Sequence, residues 1–161
     1  MNTRSSLLLV AVASLLLAKT AEAGLGWTLE DCKKHYGEPS GSMANSSGVN
    51  DYFFSAKGFD IRVAIDKSGD GKVVAVKYQK PVILDYVITE LLNQNPPNAV
   101  WVEQKNLPAE APNASRVWVS TVDNVSYLAF FEQSSIDTLT IGTYDFLVET
   151  PQQDKDYSSG L

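Results

Sequence analysis

The sequence predicts an α+β domain: an antiparallel sheet with two short helices packed on one face, in the order αβββ-αββββ. Three observations predict it. Residues 59–66 alternate, with Phe59, Ile61, Val63 and Ile65 set against Asp60, Arg62, Ala64 and Asp66, the period of a half-buried strand. In residues 83–92 the period changes, and Ile83, Leu84, Val87, Ile88, Leu91 and Leu92 recur at spacings of three and four, a broad helical stripe. Strand runs separated by single helices bury their faces by laying the helices on the sheet.

In chain order, residues 1–23 read as an export signal. Arg4 gives a positive start, 7–18 is an apolar run too short to span a bilayer, and Ala21-Glu22-Ala23 is an A-x-A cleavage site. Cleavage after Ala23 would leave Gly24 as the first residue. The body, 24–150, reads as one domain or as two related units, 24–80 and 81–150. The polar stretch 151–161 reads as a loose tail.

Residues 26–40, GWTLEDCKKHYGEPS, spell a short helix with a start and a stop. Thr28 is the N-cap, and Glu30 and Asp31 suit the positive end of the helix dipole. Leu29, Cys32 and Tyr36 make one apolar stripe. Gly37 closes the helix and Pro39 prevents its continuation. A helix this short needs a packing partner. After a small-polar loop, 41–50, come strands at 51–57, 59–66 and 72–80, with a hairpin turn at Lys57-Gly58 and Val74, Val76 and Tyr78 sharing a face. Pro81 opens the second helix, and Asn95-Pro96-Pro97-Asn98 ends it. Four further strands are expected at 99–104, 115–121, 125–132 and 138–148, with a tight turn at Asp123-Asn124.

The opening helix resembles that of the SmpA/OmlA family, small outer-membrane lipoproteins associated with β-barrel assembly. Gly26, Thr28, Cys32, Gly37 and Pro39 stand at the family's spacings, with Trp27 in place of Met and Cys32 in place of an aliphatic residue. Secreted β-lactamase inhibitor proteins repeat a similar helix-then-sheet module. The resemblance implies a helix packed on antiparallel strands and an envelope setting. One departure matters. A lipid anchor needs Cys at the cleavage point, and Cys32, the single cysteine, lies well beyond it.

Charge and composition exclude several classes. Removing Arg4, Lys19 and Glu22 takes 13 basic and 19 acidic residues to 11 and 18, a net charge of about −7. That disfavours nucleic acid and anionic lipid as partners. One cysteine gives no internal disulfide, and one cysteine with one histidine gives no zinc or iron ligand set. Cys32 and His35 stand three apart on one helix, where packing explains the cysteine better than catalysis. No Gly-x-Ser-x-Gly, phosphate loop or dinucleotide fingerprint is present. Asp66-Lys67-Ser68-Gly69-Asp70-Gly71 matches the first half of a calcium loop, but Lys77 stands where a bidentate Glu is needed, so a hairpin turn is the simpler reading. Three Asn-x-Ser sequons, at Asn45, Asn113 and Asn124, matter only in a glycosylating host.

The informative feature for binding is tryptophan placement. Trp101 alternates with Val100 and Val102, and Trp118 alternates with Val117 and Val119. If the valines face the helices, Trp101, Arg116 and Trp118 lie together on the outer face, and Trp and Arg are enriched at binding hot spots; the alternative is that both sheet faces are partly covered and the two tryptophans are ordinary core. The expectation is therefore an exported, periplasmic or secreted domain. It has no catalytic residues, cofactor or metal, and no transmembrane segment in the mature chain. It binds another envelope or secreted protein through Trp101, Arg116 and Trp118. The alternatives are a small hydrolase with an unrecognised site and a structural envelope protein.

Overall fold

The structure, a computed structural model, describes residues 24–44, 48–67, 71–107 and 111–149. The export segment 1–23 with its cleavage residue Ala23, the tail 151–161 and the sequon at Asn45 lie outside the described residues.

The elements are α1 (Leu29–Tyr36), β1 (Gly41–Ala44), β2 (Val49–Ala56), β3 (Phe59–Asp66), β4 (Val73–Lys80), α2 (Asp85–Gln94), β5 (Val102–Glu103), β6 (Arg116–Val122), β7 (Val125–Glu132), β8 (Asp137–Thr143) and α3 (Tyr144–Glu149). The eight strands form one sheet in the order β1-β2-β3-β4-β8-β7-β6-β5. Every neighbouring pair is antiparallel. The chain is thus two runs, each a helix followed by a four-strand meander. Their last strands, β4 and β8, pair at the centre, with Val76 opposite Ile141 and Tyr78 opposite Leu139.

Local chemistry fixes the first helix. The Thr28 hydroxyl accepts from the Asp31 N–H at 3.3 Å, and the Asp31 carboxylate accepts from the Thr28 N–H at 3.1 Å. This reciprocal box satisfies donors that the helix itself leaves open. The hydrogen bonds from Thr28 hold the Asp31 carboxyl below the usual carboxylate range. At the other end Gly37 takes φ +89°, a left-handed conformation that favours glycine, and its N–H reaches the Lys33 carbonyl at 2.9 Å. Just before the helix, the Gly26 N–H donates to the Val73 carbonyl at 2.8 Å and the Val73 N–H donates to Trp27 at 2.7 Å, tying the segment to β4.

Both two-residue hairpin turns stand where the sequence puts them. Lys57 and Gly58 have φ of 53° and 76°, and Asp123 and Asn124 have φ of 50° and 63°. Two successive positive φ values match the right-handed twist of the flanking strands.

The core has two parts, one on each sheet face. Under α1 and α2 lie Cys32, Tyr36, Ile88, Leu91 and Leu92, packed against Ile61, Val63, Tyr78, Leu139 and Ile141. On the opposite face Leu147 of α3 joins Val49, Ala64, Ala75, Val117 and Leu128, with Ala111 and Ala114 from the β5–β6 loop.

This corrects the expected fold in order and in packing. The order is αββββ-αββββ-α, and the helices cover both faces. The unexpected first strand is β1, read from sequence as loop. All four of its residues are exposed, so neither face carries an apolar alternation, and only its pairing with β2 makes it a strand. The unexpected third helix takes over from the strand expected to run to 148. β8 stops at Thr143 and the chain folds back, carrying Leu147 into the second core. Small residues make room for it. A Cβ on Gly142 would stand 2.9 Å from the Ala75 Cβ and 3.0 Å from Leu147 Cδ1.

Two smaller corrections follow. Val74 does not share a face with Val76 and Tyr78. The β3–β4 register slips between Ala64 and Ile65, so Val73 joins the helix-side core and Val74 packs on the opposite one. Pro81 does not open α2, which starts at Asp85. The linker is held extended, because the Ile83 N–H donates to the buried Asp137 carboxylate at 2.9 Å and draws the Ile83 side chain into the core.

Candidate functional site

The three residues singled out for binding are brought together by β5, β6 and α2, although not in the orientation expected. β6 is buried on both faces. Val117 belongs to the core under α3, and Trp118, 5% exposed, belongs to the core under α1 and α2. The expectation that the valines face those helices and the indoles face away is therefore reversed, and the alternative, a sheet covered on both faces with Trp118 in the core, is the arrangement found. Alternation along a strand shows which residues share a face, but not which face meets which layer once both are covered.

Trp101 lies just before β5, half-buried and packed against the helix-side core. Its indole N–H donates to the Leu92 carbonyl at 2.7 Å, and the Asn95 N–H donates to the same oxygen at 3.0 Å. That carbonyl lies in the last turn of α2, where helix oxygens lack internal donors. This contact explains why β5 is only two residues long. Residues 99–101 bend towards α2 instead of pairing along β6.

Arg116 completes the group. It makes two bonds to Glu103, Nε to Oε1 at 2.8 Å and Nη2 to Oε2 at 3.0 Å, and a third from Nη1 to Asp85 Oδ1 at 3.0 Å. Its guanidinium lies 4.6 Å from the Trp118 ring centroid. The hydrogen bonds from Arg116 hold the Glu103 carboxyl below its ordinary range, and those same bonds raise Arg116. Arg116 thus ties the first turn of α2 to the sheet edge and roofs the buried indole.

Between α2 and the 99–101 segment runs a groove of about 380 Å³. Thr89, Leu92 and Asn93 form its helix side, and Ala99, Val100 and Trp101 form the other, above Trp118. Val100 at its lip is 77% exposed. Val102 is also exposed, and Val82, Leu84 and Tyr86 are exposed on either side of Asp85 in sequence. The sequence reading missed the helix side of this groove, because Thr89 and Asn93 carry no motif and only the docking of β5 on α2 makes them a wall.

The other candidate chemistry does not assemble. Cys32 is buried in the helix stripe, and burial, with the charge of Asp31, pushes its thiol up to about 12. The His35 ring packs instead on Trp27, with centroids 4.7 Å apart. Around the stretch that resembles half a calcium loop, read from sequence as a hairpin turn, the Asp66 N–H donates to the Lys72 carbonyl at 3.0 Å, as in a strand pair closing on a turn, and residues 68–70 lie outside the described residues. Among the described residues, no group of three or more metal-ligating side chains is found. No described helix is long and apolar enough to cross a membrane.

No family model matches the chain, and no curated protein matches it. Among solved structures, it is similar to a cysteine-rich secretory protein from Staphylococcus aureus subsp. aureus Mu50, at 13% identity and a TM-score of 0.47, over 78% of this chain and 47% of that one. It is also similar to an extracellular protein containing a SCP domain from Bacillus anthracis str. Ames, at 12% identity and a TM-score of 0.46, over 92% of this chain and 52% of that one. The chain spans about half the length of both structures.

Proposed function

We propose that this chain is an exported, non-catalytic domain that binds another envelope or secreted protein through the groove between α2 and β5–β6. One observation carries the reading. The groove holds about 380 Å³ of open space between a half-buried Trp101 and a helix, and its lip is the exposed side chain of Val100. Exposed apolar side chains grouped around a concave site mark binding surfaces on soluble proteins. An aromatic wall held rigid by a hydrogen bond suits a partner's anchor side chain. In this reading Trp101 touches the partner, while Arg116 and Trp118 hold the wall in place from behind.

The signal-like segment 1–23, with Ala21-Glu22-Ala23 at its end, supports export. The resemblance of residues 26–40 to the SmpA/OmlA opening supports an envelope or secreted partner. Its motif residues serve the fold, since Thr28 and Gly37 cap α1. The same fold can therefore carry a different partner.

The test is affinity capture from an envelope or culture-supernatant extract with the mature protein, alongside Val100→Glu. A charge at this exposed lip leaves folding intact and spoils an apolar contact. A protein retained by the wild type and lost with Val100→Glu supports the reading. Equal retention by both refutes it.

A further inference from the structure

The sheet has two edges, and the chain treats them differently. β5 closes one. It pairs with β6 over two residues, its Glu103 is held by two bonds from Arg116, and the chain before it turns towards α2. Brevity, charge and a bend are devices by which edge strands avoid pairing with other chains. β1 forms the other edge. It pairs with β2 over twice that length and without a register slip, from Gly41 opposite Phe53 to Ala44 opposite Asn50. All four of its residues are exposed. An edge strand of this kind turns the N–H and C=O groups of alternate residues outward.

Charge decides what can reach that edge. The mature chain carries a net charge of about −7, so two copies repel each other over most of their surface. Residues 39–50, which include β1, have no charged side chain. The carboxylate directly behind the edge, Asp51 opposite Met43, is fully buried and ion-paired with Arg62 at 2.7 Å. A second copy therefore meets no like charge along this strand. Gly41, Ser42 and Ala44 are small enough for two backbones to come together. Met43, 49% exposed, is the large apolar side chain of the strand.

We propose that β1 pairs with β1 of a second copy, antiparallel across a two-fold axis, joining the two sheets into one. A two-fold axis lets the same outward groups serve as donors and acceptors on both sides. A pairing this short buries less than the ~800 Å² per partner of a standard interface, so the dimer is weak and depends on concentration. It leaves both α2–β5 grooves at its far ends, because β5 is the opposite edge. The pairing does not rest on those grooves binding anything.

Sedimentation equilibrium on the mature protein, from ~10 μM to ~1 mM, is the test. The wild type should follow a reversible monomer–dimer equilibrium with a Kd on the order of 100 μM. Added salt should tighten it, since screening weakens the repulsion between two acidic copies. As the dimer forms, amide exchange should slow at residues 41–44 and stay unchanged at 102–103. Met43→Lys adds the guard that natural edge strands use. It should weaken the dimer about tenfold or more, while circular dichroism and the urea midpoint stay native. Mixing Met43→Lys with Met43→Glu should restore a heterodimer. A protein monomeric through ~1 mM, a dimer that Met43→Lys leaves intact, or protection at 102–103 in place of 41–44 would overturn the proposal.

Discussion

Trp118→Ala separates a core tryptophan from a displayed one. The indole is 5% exposed, inside the core that α1 and α2 cover, with the Arg116 guanidinium over its ring at 4.6 Å. Truncation removes one of the largest buried side chains and leaves a void between sheet and helix. Such changes cost about 3–5 kcal/mol. Loss of the Arg116 stack adds about 0.5–1 kcal/mol, at the low end because the arginine side chain is 35% exposed. Against a typical total of about 5–15 kcal/mol, this is a large share of the stability. The melting temperature should fall by about 10–20 °C. Urea unfolding followed by far-ultraviolet circular dichroism gives the midpoint and slope directly. Val100→Ala, at the 77% exposed lip, is the control and should stay within about 0.5 kcal/mol of wild type. A loss below about 1 kcal/mol for Trp118→Ala, at unchanged slope, would refute its place in the core.

Gly142→Ala tests the packing of α3, since the new methyl would meet the Ala75 Cβ at 2.9 Å and Leu147 Cδ1 at 3.0 Å. It should destabilise by about 1–3 kcal/mol in the same urea assay, and a neutral outcome would mean that α3 does not sit on β8. Cys32 should react slowly with a thiol reagent in the native protein and fast in denaturant, and equal rates would place it at the surface. Stability should also fall in alkali. Burial, aided by the charge of Asp31, raises the Cys32 thiol from 9.0 to about 12, so between those values the unfolded chain holds fewer protons than the folded one. The contribution is complete below pH ~9 and falls by about 1.4 kcal/mol per pH unit above it. Burial pushes Tyr36 and Tyr78 in the same direction. An unfolding free energy that is flat from pH ~9 to ~11 would contradict this.

What could be read from sequence was whatever the chain specifies locally. Thr28 and Gly37 mark α1 because capping chemistry is local, and Lys57-Gly58 and Asp123-Asn124 mark turns because positive φ is local. β3 and β7 matched because their residue patterns span whole strands. The larger failures involve layers. Gly41–Ala44 became a strand only through β2, and its small, exposed residues carry no periodic signal. Residues 144–148 read as more strand because Phe146 and Leu147 are apolar, while the helix depends on a second core beneath Ala64, Ala75 and Gly142. The tryptophan faces were reversed for the same reason, since an unseen third helix meant that Val117 had its own layer to meet. The Trp101 groove was half legible. Trp101, Trp118 and Arg116 do converge, but Thr89 and Asn93 enter only through the bend at 99–101.

The most direct measurement is hydrogen–deuterium exchange on the mature protein, alone and bound to the partner captured with it. If the groove is the binding face, exchange slows at residues 99–103 and along the exposed side of α2, and remains unchanged at β1 and α3. Protection confined to β1 or α3, with residues 99–103 exchanging as in the free protein, would contradict it.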